Sequence, residues 1–232
     1  MRKNYAIIVA GGTGTRMGVD MPKQFLLLGG LPVMMHAIQA FYRSNSSPQI
    51  IVVIHPALHV GWSALCETHH FAVPHTVVSG GNTRFESVKN GLAVISSMVN
   101  EPTACTIAVH DAARPLIATH LIDKIYTQAG LSGAAALATP ATDSVRIVSV
   151  NGSKNNAYPR ASVYLMQTPQ AFNGAILYDA YKQDDSSAFT DDASVVEKKG
   201  YPITLIDGDT RNIKITFPQD LRIAEILLGQ DI

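Results

Sequence analysis

Cysteine is nearly absent from this sequence: Cys66 and Cys105 are the only two among 232 residues, and they form no CxxC pair. That excludes a disulfide-stapled scaffold and a thiolate zinc site, and it predicts a reducing, cytoplasmic setting. A surplus of either charge is also missing, with 18 basic against 18 acidic side chains. A general nucleic-acid binder needs a basic excess, so nucleic acid is not an expected partner. No apolar run reaches membrane-spanning length, and no membrane partner is expected. The apolar run behind Met1-Arg2-Lys3-Asn4, Tyr5 to Ala10, is too short for the core of a secretory signal and ends in glycine. Histidines 69, 70 and 75 lie near Cys66, but no companion cluster with zinc spacing accompanies them, so a helix surface is the expected reading. Trp62, the single tryptophan, is expected in packing.

What is present is an alternation. Tyr5–Ala10 is a continuous β-branched run of the kind that fills a buried parallel strand. Similar runs recur at Ile50–Ile54, Thr76–Val78, Thr106–Val109 and Ala134–Ala138, with a last one at Thr204–Ile206. Between them Val33–Tyr42, Arg84–Val99 and Leu121–Ala129 carry helical spacing, Thr119 being read as the N-cap of the third, and Pro218–Leu228 closes the chain as a helix. Strands alternating with helices predict an α/β fold with a doubly wound, mostly parallel sheet in a single domain spanning 1–232. In such sheets ligands lie beyond the carboxyl ends of the strands, which directs attention to the loops starting at Gly11, His55, Ser79, His110 and Thr139. One segment breaks the alternation. Ser144–Val150 has period 2, Asn151-Gly152 is a hairpin signal, and an extended stretch returns near Val163–Gln167. Residues 140–163 therefore read as a protruding β-arm inserted into the α/β core, suited to pairing with a second subunit.

The first loop, Ala10-Gly11-Gly12-Thr13-Gly14-Thr15-Arg16-Met17-Gly18, follows a buried strand directly. Glycines let backbone amides close on phosphate oxygens. The loop lacks the Lys-Ser or Lys-Thr of a P-loop, and Met17 stands where a dinucleotide fingerprint needs its third glycine. The second strand ends at Ile54-His55 rather than at a ribose-binding acid, which counts against a nicotinamide-dependent dehydrogenase. The loop instead carries its own cation, Arg16, and Pro22-Lys23-Gln24 supplies a second.

This signature resembles the nucleotidyltransferases that make nucleotide-sugars. Five further segments narrow the resemblance: Gly80–Val88, His110–Pro115, Gln167–Phe172, Thr190–Ser194 and Asn212–Thr216. Together the six are similar to the 2-C-methyl-D-erythritol 4-phosphate cytidylyltransferase family, over nearly the whole chain and in order. The resemblance implies a Rossmann-like nucleotidyltransferase fold, CTP and a small polyol phosphate as substrates, magnesium bridging the CTP phosphates without assigned protein ligands, and a homodimer joined through the arm. It implies Arg16, Lys23 and Lys214 as catalytic cations. It assigns Ala10, Gly11, Gly12, Gly14, Gly80, Gly81, Arg84, Ser87 and Asp111 to nucleotide binding. Arg114, Ser144, Arg160, Thr168 and Thr190 fall to the polyol phosphate, with Asp111 also facing that side and Arg160 reaching the partner subunit's substrate. Asn82 stands where some relatives carry Asp, so no carboxylate role is assigned there. A ribitol 5-phosphate cytidylyltransferase shares most of these motifs, and Gly18–Phe25 suits it equally. His110-Asp111-Ala112-Ala113-Arg114-Pro115 and Thr190–Ser194 favour the erythritol enzyme. A non-catalytic nucleotide-binding module is the reading from another class, and it leaves three converging cations without a purpose.

Overall fold

The structure, a computed structural model, describes residues 3–10, 21–99, 101, 104–149 and 151–230. Its centre is a seven-stranded sheet. In chain order the strands are β1 (Lys3–Ala10), β4 (Gln49–Ile54), β5 (Thr76–Ser79), β6 (Cys105–Asp111), β7 (Ala134–Pro140), β10 (Tyr164–Asn173) and β11 (Thr204–Asp207). Across the sheet they run β11-β7-β10-β6-β1-β4-β5. β1 pairs parallel with β4 and β6, β4 with β5, and β11 with β7. β10 runs antiparallel to both of its neighbours, β6 and β7.

Alternation along the central strands sends successive side chains to opposite faces. Ala6, Ile8, Val52 and Ile54 face one core, covered by α1 (Val33–Arg43) and α4 (Thr119–Ser132). Tyr5, Ile7, Val9, Ile51 and Val53 face the other, covered by α3 (Arg84–Met98), α5 (Gly174–Ala180) and α6 (Asp192–Lys198). α1 forms because Met34, Met35, Ile38 and Phe41 recur at helical spacing on one buried face. The N-cap of α4 lies one residue earlier than expected: Ala118 holds that position with no side-chain bond, and Thr119 is the first helical residue. α2 (His59–Thr68) buries Trp62, whose Nε1 donates to His75 Nε2 at 3.0 Å, so the ring lies in packing as expected.

Two hairpins stand outside the sheet. The first, β2 (Leu27–Leu28) with β3 (Leu31–Pro32), packs Leu28 with Val33, Ile215 and Ala224 in a small third core. That core docks α7 (Pro218–Leu228) and the irregular segment carrying Lys214. The second is the arm, β8 (Val145–Val148) against β9 (Asn155–Tyr158), in register from Val145↔Tyr158 to Val148↔Asn155. Gly152 takes φ +71° at the tip, a conformation open to glycine without strain. No residue of β8 or β9 is buried, and Ile147, Val148 and Tyr158 lie in the open.

Candidate active site

The strand order fixes where the site lies. From β1 the chain winds outward through β4 and β5, then crosses to the other side of β1 to lay down β6. The order in which strands are added therefore reverses between the parallel neighbours β1 and β6, and a crevice opens beyond their carboxyl ends. Those ends are Ala10 and Asp111. Among the described residues, a cavity of about 250 Å³ opens there, lined by Ala10, Lys23, Gln24, Gly81, Arg84, Asp111 and Lys214 with their neighbours. A second cavity of about 230 Å³ is lined by Arg84, Asp111, Arg114, Gln167, Thr168, Thr190, Asp191 and Lys214 among others. Arg84, Asp111 and Lys214 border both, so they form a common wall.

Each wall residue is held by local structure. Thr83 caps α3, its Oγ1 accepting from Glu86 N at 3.1 Å, which places Arg84 on the first helical turn. Ahead of it, Gly80 N donates to Ile54 O at 2.7 Å, and Gly81 N donates to Ser87 Oγ at 3.2 Å. Ser87 Oγ in turn donates to Thr83 O at 2.8 Å. Ser87 is thereby spent on shaping the glycine loop. A Cβ on Gly81 would overlap the Glu86 side chain, so only glycine fits. Lys23 sits in a short 3-10 turn, Lys23–Phe25, and its Nζ donates to Ile215 O at 2.8 Å. Gln24 Nε2 donates to Ala10 O at 2.9 Å. The Pro22-Lys23-Gln24 turn is thus clamped to the end of β1 on one side and to the Lys214 segment on the other.

The electrostatics centre on Asp111. Its Oδ2 lies 2.8 Å from Lys214 Nζ and 3.8 Å from Arg114 Nε, and its Oδ1 lies 3.5 Å from Arg84 Nε. Burial alone would raise its pKa, but Arg84, Lys214 and Arg114 hold the carboxyl far below its ordinary value. Arg84 Nη2 also meets Asp192 Oδ2 at 2.6 Å. Asp192 is fully buried, and its other oxygen accepts from Tyr181 Oη at 2.6 Å. Burial would lower the Arg84 pKa, and Asp192 and Asp111 raise it instead. Three cations against two carboxylates leave the cluster positive before Lys23 is added. Lys214 keeps an exposed face, its side chain being 41% accessible, so it can meet an anion in the cavity.

Asp111 and Arg114 lie on a loop tied from behind. Arg114 Nη1 donates to Asn212 O at 2.7 Å, and Ile215 N donates to Ala113 O at 2.8 Å. Asn212 Nδ2 donates to Thr168 O at 2.8 Å. The His110–Arg114 stretch, the Gln167–Gln170 bulge of β10 and the Arg211–Ile215 segment are therefore one hydrogen-bonded block.

Of the residues singled out from the sequence, Ala10, Lys23, Gly81, Arg84, Asp111 and Lys214 meet around the first cavity. Gly80 and Ser87 build the loop beside it. Arg114, Thr168 and Thr190 border the second. Ser144 and Arg160 lie on the exposed arm and line neither; Arg160 Nη1 donates to Thr142 O at 2.6 Å. Gly11, Gly12, Gly14 and Arg16 lie outside the described residues. Sequence reading passed over Gln24, Gln170 and Asp192. Gln170 joins Asp191 Oδ2 at 2.7 Å and Ala193 N at 2.8 Å, fixing the start of α6 beside the cavity. The signal for Asp192 was there, an acid directly before an apolar helical run, but its burial and partner are tertiary facts.

Among the described residues no group of three His, Cys, Asp or Glu side chains could hold a metal ion. Asp111, the carboxylate common to both cavities, already faces three cations. This donor set does not build a resident metal site, and it is compatible with a divalent ion that arrives on a polyphosphate.

A family model described as 2-C-methyl-D-erythritol 4-phosphate cytidylyltransferase matches residues 5–230. The chain is 46% identical over 228 residues to the protein of that name from Porphyromonas gingivalis, covering 98% of each. It is 36% identical to the Bacillus licheniformis protein of the same name, over 97% of this chain and 96% of that one. Among solved structures it is similar to a 4-diphosphocytidyl-2C-methyl-D-erythritol synthase, with TM-score 0.81 and 32% identity over 98% of this chain and 100% of that one. It is similar also to the 2-C-methyl-D-erythritol 4-phosphate cytidylyltransferase of Thermus thermophilus, with TM-score 0.76 and 29% identity over 98% of this chain and 99% of that one.

Proposed function

The chain belongs to the 2-C-methyl-D-erythritol 4-phosphate cytidylyltransferase family, and from that premise we propose how its two cavities divide the work. The activity is transfer of a cytidylyl group from CTP to 2-C-methyl-D-erythritol 4-phosphate with release of pyrophosphate, a step of the non-mevalonate isoprenoid pathway. CTP occupies the cavity between Ala10 and Gly81, and the polyol phosphate occupies the cavity beside Arg114 and Thr190. The observation that carries this division is the shared wall of Arg84, Asp111 and Lys214. A phosphate oxygen in one cavity and an α-phosphorus in the other can meet only there.

The chemistry is an in-line displacement. A bond forms between an oxygen of the acceptor phosphate and the α-phosphorus, and the bond from that phosphorus to the bridging oxygen of pyrophosphate breaks. The acceptor phosphate is largely dianionic at neutral pH, its second pKa being about 6, so no general base is needed. What the protein supplies is position and positive charge. Lys214 and Lys23, together with Arg16 from the first loop, stabilise the charge that grows on the non-bridging and leaving oxygens. Ala10, Gly11, Gly80 and Gly81 frame the cytosine and ribose, with Gly12 and Gly14 presenting amides to the phosphates. Asp111 and Arg84 fix the boundary, and Arg114 and Thr190 hold the polyol phosphate. Magnesium would enter with CTP as part of the substrate and would offset charge on the phosphates, beside Lys23 and Lys214.

The arm joins two copies of the chain. β8 and β9 bury none of their own residues, and Ile147, Val148, Tyr158, Tyr164 and Leu165 are exposed apolar side chains on or beside the arm that no described residue buries. In the homodimer Ser144 and Arg160 serve the acceptor phosphate bound by the other subunit. Replacing Lys23 or Lys214 by Ala should each lower kcat by about 10²–10³-fold, the range for loss of one preorganised charge donor. Rates within threefold of wild type, measured by pyrophosphate release, would remove both lysines from the mechanism.

A further inference from the structure

His110 is fully buried directly behind the catalytic wall, and it lines neither cavity. Its ring packs against Phe41 at 5.2 Å between centroids. Nε2 lies 3.0 Å from Arg114 O, and Nδ1 lies 3.1 Å from Thr168 Oγ1. Thr168 Oγ1 also takes the backbone N–H of Asp111 at 3.0 Å.

The proton positions follow from which atoms can donate. A carbonyl oxygen only accepts, so His110 Nε2 carries a proton toward Arg114 O. A backbone N–H only donates, so Thr168 Oγ1 accepts from Asp111. Complete burial keeps the imidazole neutral, so with its one proton on Nε2 the ring leaves Nδ1 bare, and the Thr168 hydroxyl, whose oxygen could otherwise accept a second bond, donates its O–H there. Burial, the largest influence, pushes the His110 pKa down to about 4, which agrees with a neutral ring. The result is a closed relay from Asp111 N–H through the Thr168 hydroxyl and the imidazole to Arg114 O. It joins the backbone of Asp111, whose carboxylate forms the shared wall, to the backbone of Arg114, whose side chain borders the acceptor cavity. The Thr168 hydroxyl has one proton, and it is given to His110. It has none to offer a phosphate, which can only accept.

We infer that His110 and Thr168 are positioning residues, a neutral strut that sets the spacing of Asp111 and Arg114 and thereby the grip on the polyol phosphate. The inference rests on the reading above that Arg114 and Asp111 border the acceptor cavity. No proton leaves the strut during turnover, so His110 is neither a base nor an acid in the reaction. Replacing either member leaves the other's buried polar atoms unpaired and lets the loop shift. Displacements of this kind, away from the reacting atoms, can cost on the order of 10²-fold.

The test compares full-length Thr168→Ser, Thr168→Val, His110→Phe and the Val/Phe double variant in steady-state kinetics with each substrate varied. Thr168→Ser keeps the hydroxyl and should stay within about threefold of wild type, while the other single variants should each lose about 10- to 100-fold in kcat/KM for the polyol phosphate. The loss for CTP should be smaller, since Arg114 borders only the acceptor cavity. The double variant should be no worse than the poorer single, because both break one unit. A harmless His110→Phe beside a costly Thr168→Val would overturn the strut and make Thr168 a direct substrate contact. Losses that multiply in the double variant would overturn it as well. Should the variants not fold, ¹⁵N spectra of the wild-type imidazole still decide. A proton on Nε2 with a bare Nδ1 supports the strut, and the reverse tautomer sinks it. That readout needs no turnover, so it is independent of whether the acceptor has been assigned correctly.

Discussion

Asp111 is a carboxylate that water has largely lost, and its burial is tolerable only because Lys214, Arg84 and Arg114 surround it. Its neighbour His110 meets burial the opposite way, by staying neutral. The two leave different marks on stability against pH. In the unfolded chain a histidine titrates near 6.5, and in the folded chain His110 titrates at about 4. Between those values the unfolded chain binds a proton that the folded chain refuses, so acidification from 6.5 toward 4 should cost stability, by roughly 3 kcal/mol in full. Below about 4 this contribution is flat. His36, also lowered by burial, adds a term of the same sign. Asp111, held low when folded, loses its contribution only below its unfolded value near 3.9. Denaturant melts at pH 7.5, 6 and 5 should therefore show a shallower acid slope in His110→Phe than in wild type. Equal slopes would contradict a neutral His110. Much of the residue chemistry was legible in the sequence: Lys23, Arg84, Asp111, Arg114 and Lys214 announce themselves by type and motif. Their pairing was not, because Arg84 with Asp192, or Lys214 with Asp111, joins positions about a hundred apart, and only the sheet order brings them together.

Among the elements, β1 and β4 were readable almost to the residue, since strands buried on both faces are continuous apolar runs. β10 was not: its first residues read in the sequence as the returning strand of the arm, but that strand is β9, and Tyr164–Asn173 enters the central sheet antiparallel to β6 and β7, a tertiary pairing that no local pattern announces. α5 and α6, seven residues each, are too short to print a helical period, and α2 buries only Trp62. The Gly80–Arg84 turn shows how an element can be shaped beside a cavity. It has no side chain at Gly80 or Gly81, and its free space is filled from behind by Ser87 and Glu86. In Gly81→Ala the new Cβ would collide with Glu86, forcing the first turn of α3 to move and taking Arg84 with it. The expected result is a KM for CTP raised by about tenfold or more, with a stability loss of about 1–3 kcal/mol. A variant with unchanged KM for CTP would show that this turn does not touch the nucleotide. Isothermal titration with a non-hydrolysable CTP analogue measures the binding part alone.

For the whole molecule, the arm is the feature least explained by the single chain. Ser144 and Arg160 belong by sequence to the acceptor site, yet they sit on an exposed hairpin outside both cavities. A homodimer that shares its sites resolves this, and mixing two crippled chains tests it. Arg160→Ala and Lys214→Ala homodimers should each be weak. In an exchanged mixture half the dimers carry one of each chain, and one of their two sites has both residues intact. Activity should recover to about a quarter of wild type if the residues act across a two-fold axis. No recovery after verified subunit exchange would place Arg160 and Lys214 in the same chain's site. The central claim is the cytidylyl transfer itself, from CTP onto methylerythritol phosphate. Its most direct test is pyrophosphate release from CTP and magnesium with 2-C-methyl-D-erythritol 4-phosphate, run beside ribitol 5-phosphate and a blank without acceptor. The account predicts release with the first alone, matched mole for mole by CDP-methylerythritol. Release with ribitol phosphate alone, or with no acceptor dependence, would contradict it.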